Sequence, residues 1–173
     1  LNSQYCMACY PLDLLPPKVL RKAVIPAAGL GTRMFPATKA VKKEMFPVIP
    51  PDGVCKPIIQ TIIEEAIDAG AEEIAIIVRP EDEAIFADYF APVADAYYER
   101  LPEAARQQSR ALAEIGQRLT FIHQKEAMGF GHAVYCAKDW VGDEPFLLLL
   151  GDHIYSSHTT LSCAAQLLEA FTR

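Results

Sequence analysis

The sequence lacks the excess positive charge and the regular cysteine framework that mark several classes of protein. Its 173 residues carry a formal net charge of -6, which argues against a general nucleic-acid binder, since phosphate backbones require a basic surface. The five cysteines are scattered and odd in number, unlike the sets found in secreted disulfide scaffolds. Cys6 and Cys9 form a lone C-x-x-C, and we interpret them as ordinary reduced cysteines because zinc needs about four ligands.

Long apolar segments are also missing. The run from Phe146 to Leu150 is far shorter than the ~20 residues of a membrane-spanning helix. The N-terminus does not show the basic-then-apolar order of a signal peptide. We therefore expect a cytoplasmic protein without a membrane partner. The apolar share of 51% is slightly high for a soluble domain, which indicates a sheet buried on both faces or a piece of a larger protein.

What the sequence does contain is an alternation of short apolar runs with segments of helical spacing. Buried strands are predicted over 22–28, 73–78, 120–123 and 144–150. Helices are predicted over 56–69, 81–90, 95–118 with a break near Pro102, 131–137 and 161–171. This order predicts an α/β fold, a Rossmann-like three-layer sandwich with a mostly parallel sheet. Residues 1–21 show no clean period and are predicted to form an irregular N-terminal extension.

Ligands of such sheets bind beyond the carboxyl ends of the strands, and two unusual features fall there. A glycine turn follows the first strand, and Asp152 follows the fourth. We expect them to meet at one edge of the sheet. A carboxylate after four leucines is costly to bury unless it is paired or bound to a metal. The alternative for Asp152 is a helix N-cap.

The segment from Ala27 to Pro47 gathers cations beside that glycine turn. Backbone N–H groups in a glycine turn can hold phosphate oxygens, and Arg33 and Lys43 would add a planar fork and a point charge. The Gly-Lys-Ser/Thr of a Walker loop is absent, as is the third glycine of the dinucleotide fingerprint. The alternative is a solvated cationic loop.

The longer string GLGTRMFPATKAVKKEMFPV, starting at Gly29, resembles the signature of the sugar-1-phosphate nucleotidyltransferases. The pattern GxGTR, PxTK, KEMxP is most similar to the bacterial UTP–glucose-1-phosphate uridylyltransferases. Three further stretches agree in order: KPIIQ from Lys56, QKEAMGFGHAV from Gln124 and GDEPFLLLLGD from Gly142. The resemblance covers roughly 22–155.

This resemblance implies an enzyme that joins UTP to glucose-1-phosphate and releases pyrophosphate. Two alternatives stay open, namely another nucleotidyltransferase using dTTP or a different sugar, and a non-catalytic nucleotide-binding module. Members of the family run well beyond residue 173, so 22–173 is expected to be the nucleotide-binding part, incomplete at its C-terminus. The full-length form is expected to be a homo-oligomer.

The resemblance also implies roles for particular residues. Arg33 and Lys43 would be catalytic, acting on the phosphates, and Asp152 would hold Mg²⁺. Gln124 would read the acceptor-donor-acceptor edge of uracil or thymine, while a surface glutamine is the alternative. His132 is open between a capping or packing role and a substrate contact. The remaining nucleotide-binding positions would be Ala28, Gly29, Gly31, Thr32 and Gly129.

Overall fold

The computed structural model describes residues 20–172. The strands are β1 (Lys22–Pro26), β2 (Pro47–Val48), β3 (Lys56–Pro57), β4 (Glu73–Val78), β5 (Leu119–His123) and β6 (Phe146–Leu148). Four of them form a parallel sheet in the order β5-β4-β1-β6, and the two-residue strands β2 and β3 pair antiparallel. The predicted N-terminal extension and its C-x-x-C lie outside the described residues, apart from the last two positions of the extension.

The described part of the chain contains seven α-helices, six of them between strands and one after β6. They are α1 (Ile58–Asp68), α2 (Glu83–Phe90), α3 (Asp95–Tyr98), α4 (Glu103–Gly116), α5 (Phe130–Tyr135), α6 (Lys138–Val141) and α7 (Cys163–Thr172). The predicted alternation is confirmed, including the break at Pro102, which directly precedes α4. None of these helices is long and apolar enough to span a bilayer.

Apolar residues of the sheet point alternately to two helical layers. Ala23 and Ile25 pack in a core with residues of α1, α2 and α7. Val24, between them, packs in a second core with residues of α5 and α6. Strand β4 has five consecutive buried residues after Glu73, as a strand covered on both faces requires. The predicted three-layer α/β sandwich is confirmed.

The connection order creates a crevice beside β1. The chain moves outward from β1 to β4 and β5, and then returns to place β6 on the other side of β1. Such a reversal opens a binding crevice at the carboxyl ends of the two central strands. Pro26 tolerates its position in β1 because β6 pairs only with residues 22–24, so the missing N–H removes no ladder bond on that side.

Gly151 follows β6 and packs closely against the end of β1. A Cβ atom at this position would be 2.8 Å from the carbonyl oxygen of Pro26 and 3.4 Å from Cγ of Glu44. A side chain would therefore push the chain away from β1 and move the following residue, Asp152. The glycine fixes the position at which Asp152 enters the crevice.

We predict that Gly151→Ala destabilises the chain by roughly 1–3 kcal/mol, because the added methyl group overpacks against backbone. Gly131→Ala is the matched control, since a Cβ at Gly131 meets nothing within 4 Å and alanine favours a helix. Urea unfolding of both variants measures the difference. Equal free energies of unfolding for the two variants would contradict the role given to Gly151.

Candidate nucleotide-binding site

A cleft of about 600 Å³ opens at the carboxyl edge of the sheet, between the loops that follow β1 and β6. Eight of the nine predicted site residues line this cleft. They are Ala28, Gly29, Thr32, Arg33, Lys43, Gln124, Gly129 and Asp152. The topology therefore brings together residues more than a hundred positions apart in the chain, as expected from the positions of the strands. Their roles toward a nucleotide stay a prediction.

Gly31 is the predicted residue that does not line the cleft. Its backbone is left-handed, with φ 65° and ψ 30°, a conformation that favours glycine. A Cβ atom here would lie 2.7 Å from Cγ2 of Thr38, and the carbonyl oxygen accepts a 3.0 Å hydrogen bond from Thr38 Oγ1. Gly31 thus shapes the cationic loop from within.

Lys43 and Asp152 join the two sides of the cleft. Lys43 Nζ donates to Asp152 Oδ2 at 2.7 Å, and the second carboxylate oxygen lies 3.0 Å from Nδ1 of His153. Burial acts to raise the pKa of Asp152, but the hydrogen bond and charge of Lys43 outweigh it and hold that pKa below its usual value. The next helix begins only at Cys163, so the N-cap alternative for Asp152 is wrong.

Lys42, the neighbouring lysine, has a structural role. Its Nζ donates to the carbonyl oxygen of Gly29 at 2.9 Å and to Asp82 Oδ2 at 2.7 Å. Asp82 also accepts two hydrogen bonds from the guanidinium of Arg79. Burial acts to raise the pKa of Asp82, yet these two cations keep it below its usual value. Lys42 therefore ties the glycine turn to the segment that precedes α2.

Arg33 differs from these two lysines because it is exposed at the cleft. It belongs to the 3-10 turn Thr32–Met34 and makes no ion pair with another residue of the described chain. Its guanidinium is therefore available to a ligand. Thr32, in the same turn, is also exposed and lines the cleft.

Sequence reasoning missed Glu44, which lies beneath the cationic loop. Its side chain is fully buried, and neither carboxylate oxygen has a hydrogen-bond partner among the described residues. Its Oε1 lies 3.5 Å from Nζ of Lys43. Burial raises the pKa of Glu44 to about 7, although the charges of Lys42 and Lys43 act against this. The only signal in the sequence is an acid placed directly after two lysines.

Gln124 follows β5 at the back of the cleft. It is 6% exposed, so the surface-glutamine alternative is wrong. Its backbone N–H continues the sheet by donating to Val78 O at 2.8 Å, and its side-chain nitrogen donates to Gly129 O at 3.1 Å. Gly129 has φ 89°, a backbone conformation that favours glycine. The amide is thus held in place by the turn that leads into α5.

Comparison with known proteins supports a common origin over most of the chain. Residues 22–170 match the nucleotidyl transferase family. The chain is 45% identical over 144 residues to the UTP–glucose-1-phosphate uridylyltransferase of Bacillus subtilis (strain 168), covering 82% of this chain and 47% of that protein. The chain thus spans about half the length of this relative.

Solved structures show the same likeness. A UDP-glucose pyrophosphorylase complexed with UDP-glucose superposes with a TM-score of 0.72 at 30% identity, over 90% of this chain and 54% of that one. A UTP-bound UGPase from Acinetobacter baumannii gives a TM-score of 0.71 at 31% identity, over 88% and 53% of the two chains. The architecture described above is therefore that of the nucleotidyltransferase-type UGPase structures.

The buried carboxyl of Glu44 predicts a pH-dependent stability. In the unfolded chain it ionises near its ordinary pKa of 4.5, whereas in the folded chain it stays protonated until about pH 7. The free energy of unfolding should therefore fall as pH rises between these values, by roughly 3 kcal/mol from this group, and then level off. Glu44→Gln removes this loss, so the variant should gain stability over the original chain across that window.

Urea unfolding at pH 5, 6, 7 and 8 measures the gap between the variant and the original chain. Glu126→Gln, at an exposed position, is the control and should show no growing gap. A gap for Glu44→Gln that is the same at all four pH values would refute the buried-acid interpretation.

Proposed function

Because the chain belongs to the nucleotidyl transferase family, we propose that it is the nucleotide-binding part of an enzyme that transfers a uridylyl group from UTP to glucose-1-phosphate, giving UDP-glucose and pyrophosphate. The cleft carries this proposal, because it places a cationic glycine loop, a buried amide and a paired carboxylate around one space. The names of the relatives favour UTP and glucose-1-phosphate over other nucleotides and sugars.

The chemistry needs no nucleophile from the protein, since the phosphate of the sugar attacks the α-phosphorus of the nucleotide. Catalysis then depends on positioning and on neutralising charge. The backbone of Ala28 and Gly29 would face the phosphates, Arg33 would bind the leaving pyrophosphate, and Lys43 would contact the reacting phosphates. Fixed positive groups of this kind stabilise charge that develops in the transition state.

Gln124 would bind the base. It lines the same cleft as Arg33 but comes from a different loop, after β5 rather than after β1. An amide can hydrogen-bond the edge of a uracil or thymine ring. The two bases differ by a methyl group on carbon 5, which this contact does not sense, so dTTP remains the second candidate nucleotide.

The residues present also fit a Mg²⁺ ion. Residues 20–172 contain no group of three or more acidic, histidine or cysteine side chains suited to a metal. A magnesium ion that accompanies a nucleotide needs only one or two carboxylates, because phosphates and water complete its shell. Asp152, at the cleft and paired only with cationic or histidine groups, would be that carboxylate. The bound ion would supply further charge neutralisation at the phosphates.

The direct test of this proposal is nucleotide binding by the 173-residue chain. Calorimetry with Mg²⁺ should show UTP and dTTP binding more tightly than ATP, by roughly 1–3 kcal/mol, because the buried amide of Gln124 would be left unpaired against adenine. A pyrophosphate-release assay with glucose-1-phosphate is run on the same chain. It should show little turnover if the sugar site lies in the half of the relatives that this chain does not cover.

Equal binding of the three nucleotides would contradict the role of Gln124, and no nucleotide binding at all would overturn the proposed function. Robust pyrophosphate release would support the enzyme activity but contradict the expectation that 22–173 is only the nucleotide-binding part. Gln124→Met is the matched variant, because it keeps the side-chain length without the amide; its preference for UTP over ATP should disappear.

Lys43→Ala should weaken the binding of UTP, dTTP and ATP alike, by about ten- to a hundredfold, because a charge-assisted contact to phosphate is lost whatever the base. The exposed Lys125, next to Gln124 in the sequence, provides the control: Lys125→Ala removes the same charge and should change the affinities little. Titration of the original chain and the two variants by calorimetry gives the comparison. If Lys43→Ala and Lys125→Ala behave alike, only the net charge matters and Lys43 has no specific contact.

A further inference from the structure

His132, in α5, lies against the amide that the proposed function assigns to the base. Nε2 of Gln124 is 3.1 Å from the carbonyl oxygen of Gly129 and 3.0 Å from Nδ1 of His132. A carbonyl oxygen can only accept hydrogen bonds. The nitrogen of the amide, and not its oxygen, must therefore face Gly129.

The two contacts use both hydrogens of the amide nitrogen. One goes to Gly129 and the other to Nδ1 of His132, which requires that the imidazole carry its proton on Nε2. The amide oxygen of Gln124 has no hydrogen-bond partner among residues 20–172, and Gln124 lines the cleft. The side chain of Gln124 can therefore accept a hydrogen bond from a ligand but has no free N–H to donate. From the sequence alone, both a donor and an acceptor would be expected.

We infer that His132 is a positioning residue, which fixes the amide of Gln124 as an acceptor and so makes the cleft select uridine over cytidine nucleotides. The inference rests on the proposed function, since it assumes that Gln124 faces the base. Uracil has an N–H at ring position 3, whereas cytosine has a lone pair there. The amide oxygen, as an acceptor, would therefore bind uracil and repel cytosine, although the two rings have the same size.

Loss of His132 would leave the amide of Gln124 held by the single hydrogen bond to Gly129. Because both hydrogens of a planar amide move together, the whole amide could then rotate away from Gly129 and present its nitrogen to the lone pair of cytosine. The penalty against cytidine nucleotides would shrink. A role of His132 in packing alone would act differently, because a looser α5 would weaken the binding of both nucleotides by the same factor. The ratio of the two affinities therefore separates the two roles.

The test compares two variants of the 173-residue chain. His132→Asn keeps an acceptor near the position of Nδ1, while His132→Leu keeps the bulk without an acceptor. Dissociation constants for UTP and CTP are measured with Mg²⁺ by calorimetry. We expect the UTP preference of the original chain to persist in His132→Asn and to fall about tenfold in His132→Leu, the equivalent of one hydrogen bond.

A second readout needs no nucleotide. The side-chain amide signals of Gln124 in a nitrogen-15 NMR spectrum, assigned through their absence in Gln124→Met, should shift and exchange faster with water in His132→Leu but not in His132→Asn. Unmoved signals in His132→Leu, or a UTP-to-CTP ratio that does not change, would overturn the inference. A different outcome is that the amide signals respond to His132→Leu while the original chain binds UTP and CTP equally well. That outcome would overturn base recognition by Gln124, which belongs to the proposed function.

Discussion

The ion pair between Lys43 and Asp152 is the contact on which the arrangement of the cleft depends. It joins the loop after β1 to the end of β6 at 2.7 Å, and both side chains are largely shielded from water. Removing one partner of a shielded pair leaves an uncompensated charge, so each residue restricts where the other can lie. The glycine at position 151 allows the carboxylate to come this close to β1. The cleft is therefore shaped by charge as much as by the sheet.

A second set of contacts holds the loop from the other side. Lys42 binds both the glycine turn and Asp82, while Glu44 is buried under the loop. Three consecutive residues thus point to three different environments: Lys42 to a structural ion pair, Lys43 to the cleft and Glu44 to the interior. This division explains how an acidic chain can gather cations at one place. Part of that charge is already matched within the fold, and Arg33 is open to a ligand at the cleft.

Much of the fold was predictable from the sequence, because buried parallel strands appear as continuous apolar runs and helices place apolar residues three or four positions apart. The β2–β3 pair was not predictable, since two-residue strands leave no sequence pattern and Lys56–Pro57 looked like the start of a helix. Residues at the carboxyl ends of strands could be placed at one edge. Three features could not be predicted, because each depends on atoms that only the fold brings together. They are the inward direction of Glu44, the contact of His132 with Gln124 and the steric role of Gly31.

A crystal structure of the chain with UTP and Mg²⁺ tests most directly whether this cleft is a nucleotide site. We expect the triphosphate along the loop that begins at Gly29, the uracil ring beside the amide oxygen of Gln124, and Nζ of Lys43 within hydrogen-bonding distance of a phosphate oxygen. An empty cleft at saturating UTP, with Lys43 still bound to Asp152, would contradict this account, as would a nucleotide bound elsewhere on the molecule.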